Sequence, residues 1–174
     1  TGMLGDPVMQ RMFELGRKAG NIAMRYIEII RFQELDSGAL LALIDPEADV
    51  LALIAPHFSN RLPLENWMIY DRRRQKAVIH PAGKGWFLVE EVDERSVLEA
   101  EMSHEEAWYG ELWKCFFKTL TIEARVNQKL QTSLIPLKYR DFMKEFQNES
   151  LREDCEKCQN KETKQEYEKQ ISQE

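Results

Sequence analysis

The chain has 174 residues, 43% of them apolar and 31% charged, with 24 Lys and Arg against 30 Asp and Glu for a net charge of −6. That length suits one domain with an extension, able to bury roughly 70% of its unfolded surface, and no apolar run nears the ~18 residues that a membrane helix needs. Three cysteines are too few and too unevenly spaced for a disulfide framework, so a reducing cytoplasm is expected.

The start, Thr1-Gly2-Met3, lacks a basic stretch leading into an apolar one and reads as extra residues ahead of a natural Met rather than as a signal peptide. Asp6 is an N-cap candidate with Pro7 at the first helical position. Val8, Met12, Leu15, Ala19, Ile22, Tyr26 and Ile29 follow at spacings of three and four, which predicts a long amphipathic helix. From Ile30 to Leu35 the period changes to two, predicting a strand. Asp36-Ser37-Gly38 signals a turn, and Ala39–Ile44 predicts a returning antiparallel strand. Asp49 is placed to cap a helix over Val50–Phe58, which Pro56 should kink or shorten. Trp67–Asp71, Ala77–His80 and Trp86–Val92 read as three further strands.

After an acidic connection, Ser103-His104-Glu105-Glu106 is a capping box. The helix it opens, Ala107 to about Leu120, is apolar on most sides and is expected to be central. A helical stretch from Glu123 to Thr132 follows, and Pro136 starts another with Tyr139, Phe142, Met143 and Phe146 on one stripe. The expected class is α+β: about five mostly antiparallel strands, helices on one face, a long N-terminal helix and a C-terminal helical segment. Residues 1–147 form one domain in this reading, and 148–174, with 13 charges, a polar tail or helical extension.

Few strings carry recognisable chemistry. Cys155-Glu156-Lys157-Cys158 is a lone CxxC without a second ligand pair, so no zinc site is expected. Asp45, Glu47 and Asp49 concentrate carboxylates as a hard cation would require, but equally as a helix start requires, and no metal or cofactor is expected. His57 sits four residues before Arg61 on one helix face. With Asp45 and Asp71, these are the candidates for acid/base or electrophilic work. The charge pattern says more. Residues 61–80 carry Arg61, Arg72, Arg73, Arg74 and Lys76 against Glu65 and Asp71. Residues 112–140 carry Lys114, Lys118, Arg125, Lys129, Lys138 and Arg140 against Glu123 alone, whereas 90–106 holds eight acids against Arg95. Three successive arginines at a hairpin tip suit phosphate contact, or simply a solvated turn.

Several strings form an ordered set: Arg25 and Ile30-Arg31-Phe32-Gln33-Glu34-Leu35; Leu53-Ile54-Ala55-Pro56-His57-Phe58-Ser59-Asn60-Arg61; Trp67-Met68-Ile69-Tyr70-Asp71-Arg72-Arg73-Arg74. Ile122 to Asn127, Lys129-Leu130-Gln131 and Pro136-Leu137-Lys138-Tyr139 continue it. Over about residues 6–147 the chain resembles the bacterial domain-of-unknown-function family 4130, which is associated with DNA metabolism. It departs from the family pattern at Met24, where a histidine is common, and at Glu28, Gln128 and Arg140. The resemblance implies an accessory protein of DNA repair or DNA metabolism, with DNA, a radical-SAM protein or a uracil-DNA glycosylase-like protein as partners and no membrane. Arg61, Arg72, Arg73, Arg74, Lys76, Arg125, Lys129, Lys138 and Arg140 are the expected nucleic-acid contacts. Two alternatives are an enzyme acting on damaged or modified nucleic acid and a partner of the radical-SAM protein that touches no nucleic acid.

Overall fold

Asp6 opens the first helix as its sequence predicts: the carboxylate accepts the Val8 amide at 2.9 Å, and Pro7 needs no partner for a missing N–H. This helix, α1 (Pro7–Ile29), begins the computed structural model, which describes residues 6–122 and 125–146. Its 23 residues extend ~35 Å at 1.5 Å each. The five-residue strands of the sheet extend only ~17 Å. Burial follows the mismatch: Ile22, Ala23, Tyr26 and Ile29 are buried, whereas Val8, Met12 and Leu15, on the same stripe, stay exposed.

The chain divides into two compact units, Thr1–Glu106 and Ala107–Glu174. In the first, β1 (Gln33–Glu34), β2 (Leu40–Ile44), β3 (Trp67–Asp71), β4 (Lys76–His80) and β5 (Phe87–Val89) form a sheet in that order. Every neighbouring pair is antiparallel except β2 and β3. That pair is parallel because α2 (Leu51–Arg61) carries the chain back along the sheet between them. The α+β, mostly antiparallel expectation holds. Gly38, at φ +75°, makes the β1–β2 turn, and its amide reaches the Leu35 carbonyl at 2.8 Å.

Alternation along the strands separates two faces. One carries Ala42, Ile44, Trp67, Ile69 and Val78, all buried on the side of α1 and α2. On the other, Leu41, Tyr70 and Ala77 pack with Val97 of α3 (Glu94–Leu98), flanked by Val92. The expected bare second face is thus partly covered, by a helix inside what reads as an acidic connection. Asp93 starts it by accepting the Arg95 amide at 3.2 Å.

Several local expectations are corrected. Val50, not Asp49, is the N-cap of α2, with no side-chain cap bond, and Pro56 neither ends nor shortens the helix. A proline inside a helix costs ~3 kcal/mol, but burial of Leu51, Ile54 and Phe58 returns roughly 1.5–3 kcal/mol for each side chain. The strand predicted from Ile30 shrinks to Gln33–Glu34 because the Ile30 amide still bonds the Tyr26 carbonyl (2.9 Å) as the cap of α1. β5 is shorter than predicted at both ends.

At the start of α4 (His104–Leu120), Ser103 Oγ accepts the Glu106 amide at 3.1 Å, which is one half of the predicted capping box, while the Ser103 amide donates to the Glu34 carbonyl at 2.9 Å. The second unit continues with α5 (Gln128–Leu134), α6 (Leu137–Arg140) and a 3-10 turn at Lys144–Phe146. Asn127 caps α5 by accepting the Leu130 amide at 3.0 Å, and the predicted helix start at Glu123 lies outside the described residues. Tyr139 and Met143 are buried. The predicted core position of α4 is not met: Tyr109, Leu112, Trp113, Phe116 and Leu120 are exposed. Among the described residues of the second unit, only the short α5 and α6, seven and four residues long, and the turn at Lys144–Phe146 accompany this helix of 17 residues. The segment 148–174, including Cys155 and Cys158, lies outside the described residues. No helix among the described residues is long and apolar enough to cross a membrane.

Candidate nucleic-acid interface

The arginine hairpin folds into a set of ion pairs. Asp71 ends β3 with its carboxylate fully buried. Its Oδ1 accepts the amides of Arg73 (3.0 Å) and Arg74 (3.2 Å), which fixes the β3–β4 turn, and Oδ2 accepts Arg74 Nη1 at 3.0 Å. Arg74 then donates to the carbonyls of Pro46 and Glu47, both at 2.9 Å, clamping the hairpin to the β2–α2 loop. Arg73 is bidentate on Asp45 at 2.8 and 3.2 Å, and Arg72 pairs with Glu94 at 3.0 Å. Lys76 donates to Glu90 at 2.7 Å. That bond and its charge hold the Glu90 carboxyl below its ordinary range and Lys76 above its own. Each of the four cations therefore faces a carboxylate, three of them contributed from outside the window 61–80.

Arg61 is different. It ends α2, is exposed, and makes no ion pair with another described residue. It stands on the rim of a cleft of about 420 Å³ where the C-terminal ends of α1 and α2 meet the start of β2. Arg31 and Glu28 share that rim, and Ile27, Leu40, Phe32 and Phe58 contribute apolar walls. Arg31 Nη1 reaches toward the carbonyls of Glu28, Ile29 and Ile30 at 3.3–3.5 Å, a cation on the negative end of α1. Phe32 and Phe58 meet edge to face at 5.3 Å, and both touch the Trp67 ring behind them, at 6.1 and 6.4 Å. Trp67 stacks parallel on buried His80 at 5.0 Å, and its indole N–H is buried without a hydrogen-bond partner. His80 Nδ1 lies 3.1 Å from the Glu65 carbonyl.

The acid/base candidates fall into two separate groups. His57 and Arg61 lie toward the C-terminal end of α2, His57 exposed with its ring against Phe58 at 5.1 Å. Asp45 and Asp71 lie at the other end of the parallel pair, where Ile44 is opposite Asp71. Leu40 and Ile44 are four residues apart along β2, ~13 Å at the strand rise. The cleft beside Leu40 and the carboxylates beyond Ile44 are therefore distinct places. Among the described residues, no group of three His, Cys, Asp or Glu could hold a metal ion.

In the second unit, Arg125 and Lys129 are exposed and pair with no described carboxylate. Arg140 is committed locally, donating to the Ile135 carbonyl and Thr132 Oγ1 at 3.3 Å and lying over the Phe146 ring at 4.6 Å. Lys138 lies over Tyr139 at 5.0 Å, and Lys114 pairs with Glu111 at 2.8 Å. Charge counting along the sequence singled out Arg61 but missed Arg31, Phe32 and Phe58. The signal was the two strings Ile30–Leu35 and Leu53–Arg61, which supply opposite sides of the cleft.

Fold and cleft together define an α+β protein with a mixed five-stranded sheet and an arginine-rimmed, aromatic-walled depression. The family model described as domain of unknown function DUF4130 matches residues 1–145, and the chain belongs to that family. No curated protein and no solved structure matches it.

Proposed function

We propose that this protein is an accessory component of DNA metabolism or repair that binds nucleic acid through the cations left without a carboxylate, chiefly Arg61 on the cleft rim and Arg125 and Lys129 in the second unit. The observation that carries the reading is the cleft: the Arg61 guanidinium, which makes no ion pair with another described residue, lines it together with Arg31 and half-buried Phe32, combining what phosphates and bases each require. The expected contacts thereby shift from the hairpin arginines to Arg61. Fluorescence anisotropy with labelled single-stranded and duplex DNA over a salt series tests it. Binding should weaken linearly with log salt. No salt-sensitive binding to either form at low ionic strength ends the reading.

A second reading, docking onto a radical-SAM or uracil-DNA glycosylase-like protein, draws on the exposed aromatic side of α4. Trp113 and Phe116 are close at 5.8 Å and stand 45% and 51% exposed, and neighbouring exposed apolar side chains are what an interaction surface presents. Co-purification at native expression levels tests it, and a lone monomer counts against it. The enzymatic reading draws less support, since the cleft that Arg61 lines includes neither Asp45 nor Asp71, which lie at the other end of the parallel strand pair.

A further inference from the structure

We infer that the cleft between the ends of α1 and α2 receives a single unstacked nucleotide of a DNA strand, its base against the half-buried Ile27, Phe32 and Leu40, with buried Phe58 behind them, and its phosphate at Arg61. The inference rests on the nucleic-acid reading above and adds which state of the polymer is taken, and where. The argument is from the mixed chemistry of the walls. A free inorganic anion would use the Arg61 guanidinium but leave the surfaces of Ile27, Leu40 and Phe32 in contact with water. A wholly apolar ligand would cover those walls and desolvate Arg61, which has no ion pair with another described residue, and that is costly. A nucleotide satisfies both, because a planar apolar body and an anionic group are covalently joined.

The third component of the rim fits the same ligand. Glu28, which pairs with Arg25 at 3.6 Å, brings a carboxylate to the rim, and the carbonyls that end α1 gather at the same edge around Arg31. Both are hydrogen-bond acceptors, and every nucleobase carries ring or amino N–H donors on its pairing edge. The volume, about 420 Å³, falls within the ~300–1,000 Å³ of small-molecule sites. A paired base is stacked and its donors are used, so it cannot enter. The site therefore selects single-stranded over duplex DNA.

The test uses the full chain and four labelled probes of about eight units, matched in phosphate number: single-stranded DNA, its duplex, an abasic strand and single-stranded RNA. Single-stranded DNA is expected to bind roughly 5- to 100-fold tighter than the abasic strand, the span of one to a few stacked bases. It should bind tighter than the duplex and no more weakly than the RNA. Arg61→Gln, at an exposed position, should lose roughly 5- to 10-fold on single-stranded DNA. Ile27→Trp fills the cleft without removing a charge, and should abolish the preference for bases while leaving the abasic strand's affinity unchanged, with circular dichroism verifying the fold. Equal affinity for base-bearing and abasic strands overturns the inference yet leaves the nucleic-acid reading standing. So does a base preference that survives Ile27→Trp. Binding of RNA alone overturns it too. If no probe binds at low salt, the nucleic-acid reading itself has failed.

Discussion

Removing the Asp71 carboxylate should damage the fold and leave nucleic-acid contact intact, and the size of the damage follows from its bonds. Asp71 is fully buried and accepts two turn amides and one arginine N–H. Asp71→Ala leaves both amides and the Arg74 guanidinium without that acceptor. Breaking a fully buried pair costs ~3–5 kcal/mol. Arg74 is 23% exposed and keeps its bonds to the Pro46 and Glu47 carbonyls, which brings the expected loss to ~3 kcal/mol. For a chain of this size that corresponds to a fall of about 6–12 °C in Tm. Asp71→Asn keeps an acceptor for the turn amides and should cost less, ~2 kcal/mol. Arg74→Ala should resemble Asp71→Ala, whereas Arg72→Ala and Arg73→Ala, which break exposed pairs, should each stay within ~1 kcal/mol. Urea unfolding measures all five. The clamp is refuted if Asp71→Ala costs under ~1 kcal/mol, or if Arg74→Ala leaves stability untouched while DNA affinity falls.

Three further outcomes can be checked on the same equipment. Pro56→Ala should restore an amide to the interior of α2 and raise stability by roughly 1–3 kcal/mol, read from the urea midpoint at unchanged slope. Ser103→Ala removes the acceptor for the Glu106 amide and should cost ~1 kcal/mol, whereas Ser103→Asp should not. Burial, then the charges of Glu94 and Asp93, push the Tyr70 phenol above its ordinary value of 10.0. Below that pH both states hold the proton and stability is unaffected. As pH rises through it, the unfolded chain ionises first, so stability falls until the folded phenol ionises too. Tyr70→Phe should lessen the loss as pH rises through 10.0 and above, and an undiminished alkaline loss in that variant rejects the assignment.

How much of this was legible depended on how local the cause was. β3 is found at its predicted residues because Trp67–Asp71 is a short apolar run with turn chemistry on both sides. The caps at Asp6 and Ser103 are one-residue signals and hold. Asp49 carried the same kind of signal and did not cap. Nor could pattern show that Pro56 would sit inside a helix, because that depends on how much of Leu51, Ile54 and Phe58 the sheet buries. The acidic stretch hid α3 for a similar reason: the helix is five residues long, and its only apolar residues in the sequence, Val97 and Leu98, are adjacent and show no period. The cleft was the least legible feature. Its two sides come from strings about 27 residues apart by the spacing of Arg31 and Phe58, and only the β2–α2–β3 crossover brings α2's end back beside Leu40.

Charge shows the same limit and supplies a further measurement. Along the sequence, the hairpin looked like a basic segment suited to phosphate contact. In the fold, Arg72, Arg73, Arg74 and Lys76 meet Glu94, Asp45, Asp71 and Glu90, and the hairpin is neutral as a unit. Counterions are released only by cations that replace them on phosphate, so the salt dependence of binding counts those that engage. If Arg31, Arg61, Arg125 and Lys129 make the contacts, the slope of log affinity against log salt on single-stranded DNA should be about −3, at roughly −0.7 per contact. If the four hairpin cations leave their carboxylates and join, it should approach about −6. Arg61→Gln should then make the slope shallower by about 0.7, and Arg73→Gln should not change it. A slope near −6 that Arg73→Gln makes shallower would refute the view that these ion pairs withdraw the hairpin from the interface.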